Sequence, residues 1–253
     1  MSRYAKQSGA LHEVTERYAK VNGVWQQVTA RYVKQNGAWN QVYSSGKKLS
    51  DLPVGSLLKI NESGVPQQYI IVHQGNPDTS IYDISCNGTW VMRSNLFVGI
   101  KYSNIYDVTS FLLSNANSWL NNTFVQTLSI QNQLINATIP CIFNSVQCKA
   151  FLLSVSECGD MTRTESASEG KPLTFFQSDA AEQRKSYANY SILRTPFRQI
   201  TTSGNQYVVQ ENSWGYMQGN TTNDAIGFRP AMILNSDALV SSSVDSDNCY
   251  TLQ

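Results

Sequence analysis

The chain has 253 residues, a mass of 28.2 kDa and a formal net charge of +1. Only 15% of residues are charged and 41% are hydrophobic, with 13 Tyr, 9 Phe and 5 Trp, which excludes a disordered chain. The near-neutral balance also argues against a general nucleic-acid binder, which needs a basic surface to neutralise phosphates. Asn, Gln, Ser and Thr supply most of the polarity.

The N-terminus, Met1 to Gly9, has no apolar h-region, so no secretory signal is expected. No stretch reaches the roughly 18 to 20 apolar residues that span a membrane, so no membrane insertion is expected. The first 45 residues repeat with a 14-residue period. Arg3-Tyr4-Ala5-Lys6 recurs as Arg17-Tyr18-Ala19-Lys20 and as Arg31-Tyr32-Val33-Lys34. Leu11, Trp25 and Trp39 share one position, and Val14, Val28 and Val42 another. Asn22-Gly23 and Asn36-Gly37 mark tight turns, because a type I′ turn needs positive φ at both central residues. Each unit therefore reads as a β-hairpin. A 14-residue unit cannot bury its apolar face alone, so residues 1–45 read as an attachment or oligomerisation module. Eight basic residues against Glu13 and Glu16 make residues 1–50 basic, and they read as solvated hairpin edges. Ser44 to Lys48 reads as a linker.

From Leu52 the pattern changes, and residues 50–253 read as one domain. Strands are expected at Ser56–Ile60, Tyr69–His73 and Thr89–Met92, with a turn over Glu62–Pro66. Val108, Phe111, Leu112 and Trp119 are near helical spacing, which predicts a helix over 110–124. A second helix is expected over Val125–Ile135, stopping before Pro140. Residues 159–228 form a long polar insert poor in regular pattern. Gly227 to Leu234 reads as the final core strand. The fold class is α+β with a loop-rich insert, the kind of segment that usually carries function.

Four segments occur in order: Trp119-Leu120-Asn121-Asn122-Thr123-Phe124, Lys149 to Ser154, Leu193-Arg194-Thr195-Pro196, and Gly227-Phe228-Arg229-Pro230-Ala231. This series resembles the DUF6273 family of gut bacteria and their phages. That family is similar to the C-type-lectin-like fold of formylglycine-generating enzymes. The resemblance covers roughly residues 50–240. The hairpin repeats resemble modules of phage tail proteins. Gly227 to Pro230 resembles the end of variable proteins diversified by retroelements, which display hypervariable residues on a lectin-like scaffold.

Catalytic signals are sparse. His12 aligns with Gln26 and Asn40 of the other repeats, and His73 ends a strand and reads as structural. No nucleophile elbow, P-loop or dinucleotide fingerprint occurs. Asp160, Glu165 and Glu169 share a loop and read as solvated. The related enzymes use a cysteine pair near the chain end. Here only Cys249 lies there, in a tail beyond the last expected strand, and Cys141 and Cys148 read as core. Five Cys without a CxxC pair read as buried free thiols, with no metal and no cofactor expected. Asp245 and Asp247 could bind calcium, but lack EF-hand spacing.

Binding is the better-supported chemistry. Tyr187, Asn189, Tyr190, Ser191, Ile192, Tyr207, Asn212, Trp214, Tyr216, Gln218, Asn220 and Asn223 crowd the insert. Tyr and Trp offer large contact area at low entropy cost, and amides adapt their hydrogen bonds, as in a paratope. Aromatic faces with amides also suit sugars. Trp214, between Ser213 and Gly215, reads as the buried exception. Arg194 and Arg229 read as scaffold residues that hold loops through bidentate bonds. Asn189, Tyr190, Ser191 and Ile192 each lie within one base of an Asn codon, the set that adenine-directed mutagenesis would produce. The expectation is a non-enzymatic receptor-binding protein of a phage tail fibre, made in a bacterial cytoplasm. It would present residues 187–223 to a host glycan or protein. Its hairpins would join it to tail proteins as a homotrimer. An enzyme on the same fold, oxidising cysteine or cleaving a glycan, and a purely structural virion protein remain the alternatives.

Overall fold

The computed structural model describes residues 4–7, 10–13, 18–28, 30–35, 38–44, 46–103, 110–142, 144–160, 169–178, 191–197, 207–211, 217–221 and 227–253. Its architecture is mixed α+β, mostly strands with one helical run and no closed barrel.

Six strands pair two by two at the N-terminus. β1 (Tyr4–Gln7) pairs with β2 (Ala10–Glu13), β3 (Tyr18–Val21) with β4 (Val24–Gln27), and β5 (Ala30–Gln35) with β6 (Ala38–Ser44), all antiparallel. Between β3 and β4, Asn22 has φ +51° and Gly23 has φ +84°, the conformation the Asn-Gly pair was expected to adopt. The expected linker is not one at its C-terminal end. Lys47–Lys48 forms β7, which pairs with β18 (Leu239–Val240). Gly46 lies so close to the Val240 carbonyl that a side chain there would collide with it.

The main sheet has six strands in the order β13-β17-β10-β9-β8-β19. β8 (Leu57–Glu62) and β9 (Val65–Gly75) form a hairpin closed by Ser63 and Gly64, with φ of +49° and +84°. β10 (Gly88–Arg93) is central, and all six of its residues are buried. That explains its unbroken Thr-Trp-Val-Met run: both faces of the strand are covered. Trp90 anchors it, donating Nε1–H to the Gly75 and Cys86 carbonyls at 3.1 and 3.0 Å. Tyr82 and Phe151 meet its ring edge-to-face.

The helical segment departs from expectation. α1 (Asn115–Trp119) starts at Asn115 because the Ser114 hydroxyl caps it, accepting from the Asn117 N–H at 3.0 Å. The run continues through a π turn, Leu120–Phe124, and a last turn, Val125–Thr127. No second helix over Val125–Ile135 exists. The Thr127 hydroxyl donates to the Phe124 carbonyl, the Thr127 carbonyl accepts from Ser63 N–H, and Leu128 is extended. Val125, Leu128, Ile130 and Leu134 of this stretch are all buried. The chain then forms β11 (Ala137–Ile139), β12 (Val146–Cys148) and β13 (Ala150–Phe151).

The insert is more regular than its sequence suggests. β14 (Ser191–Phe197), β15 (Tyr207–Glu211) and β16 (Met217–Thr221) form a three-stranded antiparallel sheet. β17 (Ala231–Leu234) is not the last core strand. β19 (Cys249–Thr251) returns to pair in parallel with β8, which buries Cys249 completely. All five cysteines are free thiols.

Asn121 explains part of the Trp119–Phe124 motif. Its Oδ1 accepts from the Lys149 and Ala150 N–H groups at 2.8 and 3.1 Å, and its Nδ2 donates to the Ala150 carbonyl at 2.9 Å. One amide thus ties the π turn to β13. Asn121→Ala should lower stability by about 1–3 kcal/mol, because those backbone groups lose partners. Urea denaturation checks this, and an unchanged midpoint would contradict it.

Candidate ligand-binding face and its buried anchor

At the base of the insert lies a buried ion pair built on Arg194, in β14. The Ser154-Val155-Ser156-Glu157 turn supplies the acid. The Ser154 hydroxyl accepts from Glu157 N–H at 3.1 Å, and Glu157 Oε2 accepts from Ser154 N–H at 2.9 Å. This is a reciprocal capping box, and the Ser-x-x-Glu pattern was present in the sequence to find it. Glu157 was missed as a functional residue.

Arg194 and Glu157 are both fully buried. Arg194 Nη1 reaches Glu157 Oε2 at 2.6 Å, and Nη2 reaches Oε1 at 2.8 Å. The remaining donors go to the carbonyls of Leu152 at 2.7 Å, Glu169 at 2.7 Å and Pro140 at 3.2 Å. All five guanidinium N–H groups are therefore satisfied. Tyr82 Oη donates to Glu157 Oε1 at 3.0 Å and accepts from Lys171 N–H at 3.1 Å. Burial, reinforced by the Glu157 charge, pushes the Tyr82 phenol far above its usual range. Thr195 Oγ1 accepts from Val155 N–H at 2.9 Å. Gly170, at φ +148°, passes so close to the Tyr82 hydroxyl that a Cβ would clash with it.

Arg194 was expected to hold loops through bidentate bonds, and it does so. Arg229 donates Nε–H to the Ser94 carbonyl at 3.1 Å. Glu169 overturns its expected solvated setting. It is fully buried, and Oε1 accepts from Ile142 N–H at 3.3 Å. Oε2 is buried without a hydrogen-bond partner. Burial raises the Glu169 carboxyl above the usual carboxylate range, with Arg194 acting in the opposite sense. Asp160 is half-buried, and Glu165 lies outside the described residues.

The second flank of the insert is held by backbone and aromatic contacts. Ile192 N–H donates to the Gly227 carbonyl at 3.0 Å, and Phe97 and Phe228 exchange backbone bonds at 2.8 and 2.9 Å. The rings of Phe97 and Trp119 pack at 4.5 Å, and Trp119 lies 6.1 Å from Phe228. The motifs around Trp119, Arg194 and Phe228 thus meet where the insert leaves and rejoins the domain.

The expected ligand-binding residues divide into three groups. Ser191 and Ile192 are buried, at 3% and 1% exposure, and are corrected to core positions. Their hydroxyl and alkyl groups, with Met92, Leu153, Cys158, Phe176, Leu193 and Arg229, line a cavity of about 10 Å³, room for about one water and no larger ligand. Tyr207, Gln218 and Asn220 lie on the strands of the insert. Gln218 pairs with Gln210 and Asn220 with Val208, whereas Tyr207 pairs with Thr221. With a period of two, Gln218 and Asn220 take positions on one face and Tyr207 a position on the other. Tyr187, Asn189, Tyr190, Asn212, Trp214, Tyr216 and Asn223 lie outside the described residues, as does Trp214's expected burial.

Other candidate groups are structural. His73 Nδ1 accepts from Thr174 N–H at 3.3 Å and lies 2.7 Å from its hydroxyl, while burial lowers its pKa below the usual histidine value. Burial pushes the Cys86 thiol up to about 12 and the Cys141 thiol up to about 11. Both are protonated at neutral pH, opposite to the activation a cysteine nucleophile needs. Asp245 and Asp247 hold the Lys59 ammonium at 2.6 and 2.5 Å. Among the described residues no cluster of three His, Cys, Asp or Glu could hold a metal. No described helix is long and apolar enough to cross a membrane.

The DUF6273 family, described as a domain of unknown function, matches residues 87–236, more than half of the chain. The chain belongs to the DUF6273 family. No curated protein and no solved structure matches it. The matched span contains the Trp119–Phe124 motif, the Ser154–Glu157 turn, Arg194 and Phe228, so the family region holds the Arg194–Glu157 pair and the carbonyls that complete it, with Tyr82 just outside.

Two outcomes test the anchor. Arg194→Met should cost about 3–5 kcal/mol in urea denaturation, because Glu157 is left as an uncompensated buried charge. A loss within the range of an ordinary surface change would contradict the anchoring role. Glu169 sets a pH dependence. Its folded pKa exceeds its unfolded value near 4.5, so the folded chain holds this proton more tightly. The resulting stability is complete below that value and is lost as pH rises through the folded pKa. Glu169→Gln should flatten the thermal midpoint between pH 4.5 and 8. An equally steep fall in the variant would show that another group is responsible.

Proposed function

We propose that this DUF6273 chain is a non-enzymatic receptor-binding protein of phage tail-fibre type. The main domain is a C-type-lectin-like scaffold, and the insert between Cys158 and Phe228 carries the ligand-contacting groups. The ligand is a host-surface glycan or protein. Tyr187, Asn189, Tyr190, Asn212, Tyr216, Gln218, Asn220 and Asn223 carry the contact, with Tyr207 and Trp214 shaping it. Ser191 and Ile192 support it from the core. The variable part of the surface is the segment diversified from Asn codons. The hairpin units join the chain to tail proteins and to two further copies, so the working form is a trimer in the virion.

One observation carries this reading. The polar, aromatic insert leaves and rejoins the domain at two rigid points. Its Arg194 is tied to Glu157, Leu152 and Pro140 of the domain, and its end is tied through Phe228 to Phe97. A rigid base beneath Tyr- and Asn-rich segments is the arrangement in which loop composition can vary while the scaffold persists. The Cys86 and Cys141 thiols, held protonated by burial, fit binding better than nucleophilic turnover.

The test is binding of the full chain to a glycan array and to a panel of bacterial cells. Tyr190→Ala combined with Tyr216→Ala should reduce binding at least tenfold while the thermal midpoint stays unchanged. Undiminished binding by the double variant would refute the insert as the contact surface. Light scattering should give three times the 28.2 kDa chain mass, and a clean monomer would remove the tail-fibre role of the hairpins.

A further inference from the structure

The second hairpin presents an aromatic and cationic face. Lys20 pairs across the strands with Trp25, and Tyr18 pairs with Gln27 two residues away, so these four positions share one face. Trp25 is 67% exposed and Tyr18 54% exposed, and Lys20 is exposed beside them. The other two strand pairs repeat the register. Lys6 pairs with Leu11 and Lys34 with Trp39, while Tyr4 pairs with Glu13 and Tyr32 with Gln41. The opposite face has no Tyr, Phe or Trp position in the first two units, and in the third Tyr43 takes a position there, paired with Arg31. It carries Ala5, His12, Gln7 and Ala10 in the first, Ala19, Gln26, Val21 and Val24 in the second, and Val33, Asn40, Gln35 and Ala38 in the third.

Charge indicates what the repeated face meets. Residues 1–48 hold eight Lys and Arg against two Glu, a net +6, whereas the rest of the chain carries a net −5. Within the main domain Asp237, Asp245, Asp247, Glu62 and Glu157 already pair with Lys48, Lys59, Arg93 and Arg194. A second copy stacked through the same face would oppose lysine to lysine, which is destabilising. An anionic partner removes that conflict. The Trp and Tyr faces suit the C–H face of a sugar ring, the ammonium suits its acid group, and the amide positions suit its hydroxyls.

We infer that the hairpin units are a second binding site, three tandem faces for an acidic polysaccharide whose sugar rings carry carboxylates. The ligand is a polymer, because a face repeated along one chain, with Trp in the second and third units and Leu11 in the first, gives avidity only to a ligand with repeating groups. The opposite face is left for contact between copies. This site is independent of the insert, so either can fail without the other.

Titration of the full chain with polygalacturonate, followed by tryptophan fluorescence, tests the inference. Binding should be saturable and weaken at least tenfold between low salt and 0.5 M salt. Trp25→Ala with Trp39→Ala should weaken it at least tenfold, as should Lys20→Gln with Lys34→Gln. The Tyr190→Ala, Tyr216→Ala variant should bind normally, which separates this site from the insert. Dextran, which has rings without charge, and polyglutamate, which has charge without rings, should bind at least tenfold more weakly. Equal binding of polyglutamate would overturn the sugar-ring part of the inference. Tighter binding of poly(dT) would replace the polysaccharide with single-stranded nucleic acid. If no polymer binds and Trp25→Ala with Trp39→Ala turns the oligomer into monomer, the face belongs to a second copy and the inference is wrong.

Discussion

The guanidinium of Arg194 is the constraint on which the insert depends. A charged group with no contact with water is tolerable only when an opposite charge and a full set of acceptors surround it. Glu157 supplies the charge, and the carbonyls of Leu152, Glu169 and Pro140 supply the rest. Those carbonyls come from three separate stretches of chain. Satisfying one side chain therefore fixes the segment after β13, the start of the insert and β14 together. Apolar packing alone would be less demanding about direction, because hydrophobic contact has no preferred angle.

Around that pair the core is divided by chemistry. Trp90, Tyr82 and Phe151 fill the space between the central strand and the anchor, and Tyr82 links the aromatic layer to Glu157 through its hydroxyl. Phe97, Trp119, Phe124 and Phe228 form a second aromatic group at the far flank of the insert. A second buried pair, Arg93 with Glu62 at 2.8 Å, ties β10 to β8, and Tyr69 donates to the same carboxylate. Among the described residues six charged side chains are buried, Glu62, Arg93, Glu157, Glu169, Arg194 and Arg229.

Much of this was legible in the residues. Asn22-Gly23 specified its turn because few pairs tolerate positive φ twice. The strands expected at Ser56–Ile60, Tyr69–His73 and Thr89–Met92 fall on β8, β9 and β10, although β9 starts at Val65, inside the expected Glu62–Pro66 turn. The anchoring role of Arg194 followed from its motif setting. Other features were not legible. Val125–Ile135 has apolar spacing compatible with a helix, yet Ser63 and Thr127 divert the backbone, and that contact spans more than 60 residues of chain. Glu169 looked solvated because its neighbours are polar, and its burial depends on Arg194, 25 residues away. Asp245 and Asp247 gave no sign of Lys59, the cation they hold.

By itself the sequence determined the α+β class, the 14-residue repeat with its Tyr, Lys and Trp positions, the free thiols and the composition of the insert. These depend on local conformational preference and side-chain chemistry, which neighbouring residues specify. Only the tertiary structure decided which polar groups are buried, that Ser191 and Ile192 face the core, that the tail around Cys249 closes the main sheet, and that Glu157 partners Arg194. Each of those depends on contacts between residues distant in the chain, where the cost of burying a charge or an unpaired hydrogen-bonding group selects the one arrangement that satisfies it.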